Sequence, residues 1–208
     1  MIDAKQLSEL VREAVARVRR EPARDDTASR ARDDQPSRAR DDLIPAAVLV
    51  PIVLHPDEPG VLFTRRAMTV AKHKGQVSFP GGACEPADAG PAATALRETR
   101  EEIGLAPDRV EVVGALEEQV TTTGFFVTPI VGLVEPGAEL APDPLEVAGV
   151  FEVPWSKLTD PAYHDVEWLE WRGVSFCNHR YTVCGEVIWG ATGRIVARFL
   201  AAIEEVRR

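Results

Sequence analysis

Apolar positions recur along this chain with three different periods. Leu7, Leu10, Val11, Ala14 and Val18 follow a three-and-four spacing, which predicts an amphipathic helix over residues 3–20 with Asp3 placed to cap its start. Residues 46–54, AAVLVPIVL, are an unbroken apolar run, the mark of a buried strand. Residues 61–66 predict a second strand, joined to the first through a loop holding Pro56 and Pro59-Gly60, and a short third strand at 76–79 ends in Pro80-Gly81-Gly82. Residues 91–102 read as a helix, with Gly104 where a left-handed C-terminal cap belongs. Strand-like runs follow at 110–116, 125–134 and 146–153, with a helical turn at Trp155–Leu158 and enough alternation over 166–188 to predict a hairpin. A last amphipathic helix covers 191–206, with Ile195, Val196, Phe199, Leu200 and Ile203 on one side. This mixed order predicts an α/β (α+β) architecture, a mixed β-sheet sandwiched between helices.

Between the first helix and the first strand lies a tandem octapeptide: ARDDTASR, then ARDDQPSR, then ARDD, from Ala23 to Asp42. It has almost nothing to bury and cannot offset the entropy of being ordered, so it reads as a flexible linker. The expected organisation is a helix at 1–20, a linker at 21–43 and one catalytic domain at 44–208. Deleting residues 1–42 is therefore expected to leave catalysis largely untouched.

Charge changes the picture of partners. Residues 1–44 hold ten of the 24 Lys/Arg and ten of the 33 Asp/Glu, so the net charge of −9 falls wholly on the remainder. An acidic body argues against nucleic acid as a partner, and the chain lacks an apolar run long enough to span a membrane or serve as a signal peptide. Three cysteines, Cys84, Cys177 and Cys184, lack metal-type spacing and fit reduced core or strand residues in a cytoplasmic protein. The four histidines, His55, His73, His164 and His179, also lack ligand spacing, and Trp168 and Trp171 read as hairpin packing. Whether the chain forms a homodimer is left open.

The chemistry is concentrated in Arg97-Glu98-Thr99-Arg100-Glu101-Glu102-Ile103-Gly104-Leu105. On a helix Glu101 and Glu102 fall about 60° and about 40° to either side of Glu98, so three carboxylates crowd one arc of about 100°. Such like charges repel unless something compensates them. A hard divalent cation, Mg2+ or Mn2+, does so while keeping positions for water and substrate phosphate. The upstream Gly81-Gly82 lets bare backbone approach an ion or a phosphate. A plain solvated helix face explains the glutamates taken alone, but not their combination with these glycines and Gly104.

These residues resemble the signature of the Nudix hydrolases: glycine, five residues, Glu, seven residues, Arg-Glu, an apolar residue, one residue, Glu-Glu, one residue, Gly and an apolar residue. Arg97, Glu98, Glu101, Glu102, Gly104 and Leu105 match, with Thr99 in the apolar place. The first half departs: Asp88 stands where the signature has Glu, and eight residues rather than seven separate it from Arg97. The resemblance implies a Nudix fold and a metal-dependent diphosphatase. Glu98 and Glu102 would be metal ligands, Glu101 a ligand or the group that activates water, and the Gly81 carbonyl would complete the shell. Arg97 would orient a glutamate, with a surface ion pair as the rival reading.

A second stretch resembles the motif of coenzyme A pyrophosphatases. Thr64, Arg66, Ala67, Gly75 and Phe79-Pro80-Gly81-Gly82 match it, whereas Ala71 occupies its second arginine position. The resemblance implies hydrolysis of coenzyme A to 3′,5′-ADP and 4′-phosphopantetheine. Thr64, Arg66, Lys72, Lys74 and Gly82 would then bind the substrate, within a cationic cluster that also includes Arg65. Thr122 and Gly124, in a run similar to that family, would shape a pocket wall. Glu146, opening the 146–153 strand, is the candidate general base from outside the signature, with Glu117 and Glu118 as competitors. Other Nudix substrates (ADP-ribose, NADH or a nucleoside triphosphate) and a non-catalytic nucleotide sensor are the rival readings.

Overall fold

The computed structural model describes residues 2–20, 42–69, 74–171 and 174–208, with backbone alone at residues 19–20, 171 and 174–176. The octapeptide linker up to residue 41 lies outside the described residues, as do Ala71, Lys72 and His73.

The first helix, α1 (Ala4–Arg20), starts where the pattern places it. The Asp3 carboxylate accepts from the Gln6 amide at 2.8 Å, and Gln6 Oε1 accepts in return from the Asp3 amide at 3.3 Å, a reciprocal cap. Leu7, Val11, Ala14 and Val15 are all at most 1% exposed. They join a core with Phe199 and Ile203 of the last helix, and Arg12 grips Glu111 of a sheet strand. This helix is an integral layer of the fold.

The strand β1 (Ile44–Val53) runs parallel to β7 (Phe125–Val134) over all ten residues. At its far end it meets β2 (Gly60–Arg66), while its first half pairs with the short β4 (Gly81–Ala83). Antiparallel neighbours complete the mixed eight-stranded sheet: β3 (Val77–Ser78) and β8 (Val147–Pro154) on β2, and β5 (Val110–Ala115) and β6 (Gln119–Val120) on β7. Alternate residues of β1 enter two cores. Ala47, Leu49 and Val53 pack with the helix α2 (Pro91–Ile103), and Val50 and Ile52 pack on the side of α1 and the last helix. A strand covered on both faces must be apolar at every position, which is why 46–54 shows no alternation. The sheet is thus sandwiched between helices, the architecture the element order predicts.

After the turn α3 (Trp155–Leu158), three strands rather than two fill the predicted hairpin region: β9 (His164–Trp171), β10 (Val174–Val183) and β11 (Glu186–Ile188). Cys184-Gly185 forms the second turn, both residues at positive φ. Cys184 is exposed there, which corrects its reading as a core or strand cysteine; the three cysteines form no disulfide with one another. Trp168, 59% exposed, is likewise not packed away. The last helix, α4 (Gly190–Arg207), docks on β10 through Gly193, where a Cβ would meet the His179 carbonyl oxygen at 2.2 Å.

Candidate active site

Helix α2 has two faces with different tasks. Ala95, Thr99 and Ile103 are completely buried. Thr99 occupies an apolar position without an orphaned hydroxyl, because it donates to the Ala95 carbonyl one turn back at 2.6 Å. Gly104, at φ 73, caps the helix by donating its amide to the Arg100 carbonyl at 2.9 Å, as the sequence predicts.

One turn apart beside this buried face stand Glu98 and Glu102, pressed against β4. A Cβ on Gly81 would fall 2.4 Å from the Ala47 carbonyl oxygen, and one on Gly82 would fall 2.5–2.6 Å from the Glu98 carboxylate. Gly81 therefore requires glycine, and a side chain at Gly82 would displace the Glu98 carboxylate, so bare backbone fits between β1 and the acids. The Gly81 amide donates to Glu102 Oε2 at 3.2 Å, and Arg66 Nη1 lies 3.5 Å from Glu102 Oε1. Glu102 is only 4% exposed. Burial pushes its carboxyl up to about 7; the Gly81 amide and Arg66 oppose the rise, and Glu98 and Glu146 add to it by repulsion. Glu98 is also raised, first by burial and then by Glu101 and Glu146, against the pull of Arg97.

Arg97 holds the loop to the helix. It donates to Glu98 at 2.9 Å, to Glu101 at 3.0 Å, to the Ala83 carbonyl at 3.1 Å and twice to Asp88 at 3.0 and 3.1 Å. Asp88 also accepts from the Thr94 hydroxyl and the Glu85 amide, and the Arg97 guanidinium, foremost among these donors, holds its carboxyl well below the usual range. The extra loop residue and the shorter acid are thus accommodated: Asp88 still closes the loop onto Arg97.

A cavity of about 680 Å³ opens over this arrangement. Arg66, Gly81, Gly82, Glu98, Glu102 and Glu146 line it, as does Thr122. Glu146 comes from just before β8, and its carbonyl is fixed by the Ala67 amide at 2.7 Å. Its competitor Glu117 instead pairs with Arg198 at 3.2 Å, and Glu118 is not part of the wall.

Several candidates stand apart from the cavity wall. Glu101 is 59% exposed at its side chain. Thr64 is 1% exposed and its hydroxyl donates to the Ser78 carbonyl at 3.1 Å, joining β2 to β3. Arg65 pairs with Glu186, tying the two sheets together, and Lys74 is exposed in a turn. Gly124, at φ 91, closes the turn before β7. The wall includes one aromatic residue that sequence reasoning missed, Trp189, which is 45% exposed. Its only signal was a tryptophan placed directly before the glycine that opens the last helix. The Asn178 side chain fixes that junction by accepting from the Gly190 amide at 3.2 Å.

Among the described residues no three His, Cys, Asp or Glu side chains already converge as a metal-binding group. The donor set nevertheless fits a hard cation. Two neighbouring carboxylates are withdrawn from water, with a third at the cavity rim, and burial of such charge is unfavourable unless a cation offsets it.

The NUDIX domain family matches residues 43–175. The Nudix hydrolase NudL of Photorhabdus laumondii is 41% identical over 160 residues, spanning 76% of this chain and 84% of that protein. This chain belongs to the Nudix family. The Nudix hydrolase NudL of Cronobacter sakazakii is 40% identical over 171 residues, spanning 77% of this chain and 83% of that protein. A solved MutT/nudix family protein from Enterococcus faecalis superposes with a TM-score of 0.54 at 13% identity, over 95% of this chain and 74% of that one, and shows the shared fold alone. Membership gives this Nudix protein the family's general chemistry: hydrolysis of a nucleoside diphosphate derivative, typically with a divalent cation. Among the described residues no helix is long and apolar enough to cross a membrane.

Proposed function

We propose that this Nudix enzyme cleaves the diphosphate of coenzyme A or a coenzyme A derivative in the cytoplasm, giving 3′,5′-ADP and 4′-phosphopantetheine. The observation that carries the reading is the meeting of two motifs. Arg66, Phe79, Gly81 and Gly82, from the stretch resembling coenzyme A pyrophosphatases, border the same cavity as Glu98 and Glu102 of the Nudix signature. A cavity of about 680 Å³ is also of a size to enclose a nucleotide.

In this reading Glu98 and Glu102 would hold Mg2+ or Mn2+, and the Gly81 carbonyl would complete the shell. Bound there, the ion would acidify a water and offset charge developing on the leaving phosphate. Glu146, on the rim and already felt electrostatically by both acids, takes the proton of the attacking water. Arg66 binds a phosphate oxygen through its planar guanidinium. Arg97 acts through Glu98: its hydrogen bonds fix the carboxylate and keep Glu101 on the outer face.

Mass spectrometry after incubation of the full chain with Mg2+ and coenzyme A tests this. The expected products are 3′,5′-ADP and 4′-phosphopantetheine. Comparable or better turnover of ADP-ribose in a parallel incubation would overturn the substrate assignment. Nucleotide binding without any phosphate product in Mg2+ or Mn2+ would favour a sensor instead.

A further inference from the structure

The pairing of β2 with β8 is regular from Gly60 opposite Pro154 to Arg65 opposite Gly149, and then slips so that Arg66 lies opposite Val147. A bulge at such a point re-aims a side chain. Arg65 goes to Glu186 on the second sheet, and Arg66 goes into the cavity, to Glu102. The backbone of Arg66 is fixed on both sides, its amide donating to the Gln76 carbonyl at 3.0 Å and its carbonyl accepting from the Gly75 amide at 3.1 Å. The ion pair itself is loose. A guanidinium seated firmly on a carboxylate makes paired bonds of about 2.7–2.9 Å, whereas this contact is a single approach of 3.5 Å.

We propose that Arg66 is an exchangeable counter-ion: it neutralises Glu102 in the metal-free site, yields that carboxylate to the divalent cation, and turns onto the phosphate that arrives with the substrate. The proposal rests on the reading that Glu98 and Glu102 hold the cation. Its physical basis is that both alternatives are costly. Keeping a carboxylate that is 4% exposed ionised without a positive neighbour is unfavourable. A guanidinium and a divalent ion on the same carboxylate repel each other. A substrate phosphate between them relieves that repulsion, so metal and substrate favour one another's binding, as linkage requires.

Mn2+ binding to the full chain without substrate, followed by the electron paramagnetic resonance of free Mn2+, reads the exchange without turnover. Arg66→Gln is expected to bind Mn2+ about tenfold more tightly than wild type, because a competing positive charge is gone. Its KM for the nucleoside diphosphate substrate is expected to rise about tenfold, as a charge-assisted phosphate contact is lost. Arg66→Lys keeps the charge and is expected to hold wild-type Mn2+ affinity within about threefold, with KM still raised. Unchanged or weaker Mn2+ binding by a folded Arg66→Gln protein would overturn the exchange, and so would equal shifts in the two variants. Absence of Mn2+ binding by wild type, or undiminished binding by Glu102→Gln, would instead overturn the metal reading, and the exchange with it.

Discussion

Glu102→Gln lowers kcat/KM for the diphosphate substrate by about 10³-fold, roughly 4 kcal/mol of transition-state stabilisation, in a protein that stays folded. Glutamine keeps the shape and one acceptor oxygen but not the charge that a cation requires. The same substitution has an opposite effect on stability in chelator. The Glu102 carboxyl sits at about 7 in the folded chain, above its ordinary 4.5. Folding is therefore unhindered by this group below pH 4.5, where it is neutral in both states. That advantage is lost as pH rises through 7, because the native state must then carry a buried charge. Without metal, Glu102→Gln should melt close to wild type at pH 5 and above it at pH 8. Mn2+ should raise the melting temperature of wild type and not of the variant. Near-wild-type turnover at saturating metal, or a melting gap that narrows from pH 5 to pH 8, would contradict this role.

Removal of residues 1–42 destabilises the protein. The sequence reading expects that catalysis survives such a deletion, because the segment holds no signature residue, and it leaves stability unaddressed. In the structure, however, Leu7 and Val11 are fully buried, with Ala14 and Val15 nearly so, against Phe199 and Ile203. Taking α1 away leaves the apolar side of α4 facing water. Even the single change Leu7→Ala is expected to cost about 3 kcal/mol, a fall of about 6–12 °C in melting temperature for a chain of this size. Deletion of the whole segment should cost more and promote aggregation, while Glu98 and Glu102, carried by α2 on the other core, keep their chemistry in whatever fraction is folded. Thermal melting of the three proteins checks this. A truncated chain that melts with wild type would show that α1 is dispensable.

How legible each feature was follows from its range. The cap of α2, its buried stripe and the glycines beside its acids are local facts, written in spacing, and β1 declares its two covered faces by lacking polar residues. The docking of α1 is different in kind, because an amphipathic helix announces that it has a partner but not where. Its spacing did mark Leu7, Val11 and Ala14; only contact with α4, at the other end of the chain, shows what covers them. The helical arc of Glu98, Glu101 and Glu102 treats the three acids as equals. In the fold, β4 covers two of them, and Arg97 holds the third on the exposed side. Asp88 looked displaced by one residue, yet a loop absorbs such an insertion, and the acid still reaches Arg97. Trp189 carried no periodic signal and enters the cavity through a junction that β10 sets from eleven residues upstream, at Asn178.

The central claim is that Glu98 and Glu102 grip a divalent cation beside the Gly81–Gly82 backbone. Anomalous diffraction from crystals of the full chain soaked in Mn2+ tests it most directly. The account predicts a peak between the two carboxylates, about 2 Å from an oxygen of each, with the Arg66 guanidinium drawn away from Glu102. Manganese bound only elsewhere, with Glu102 still paired to Arg66, would contradict it.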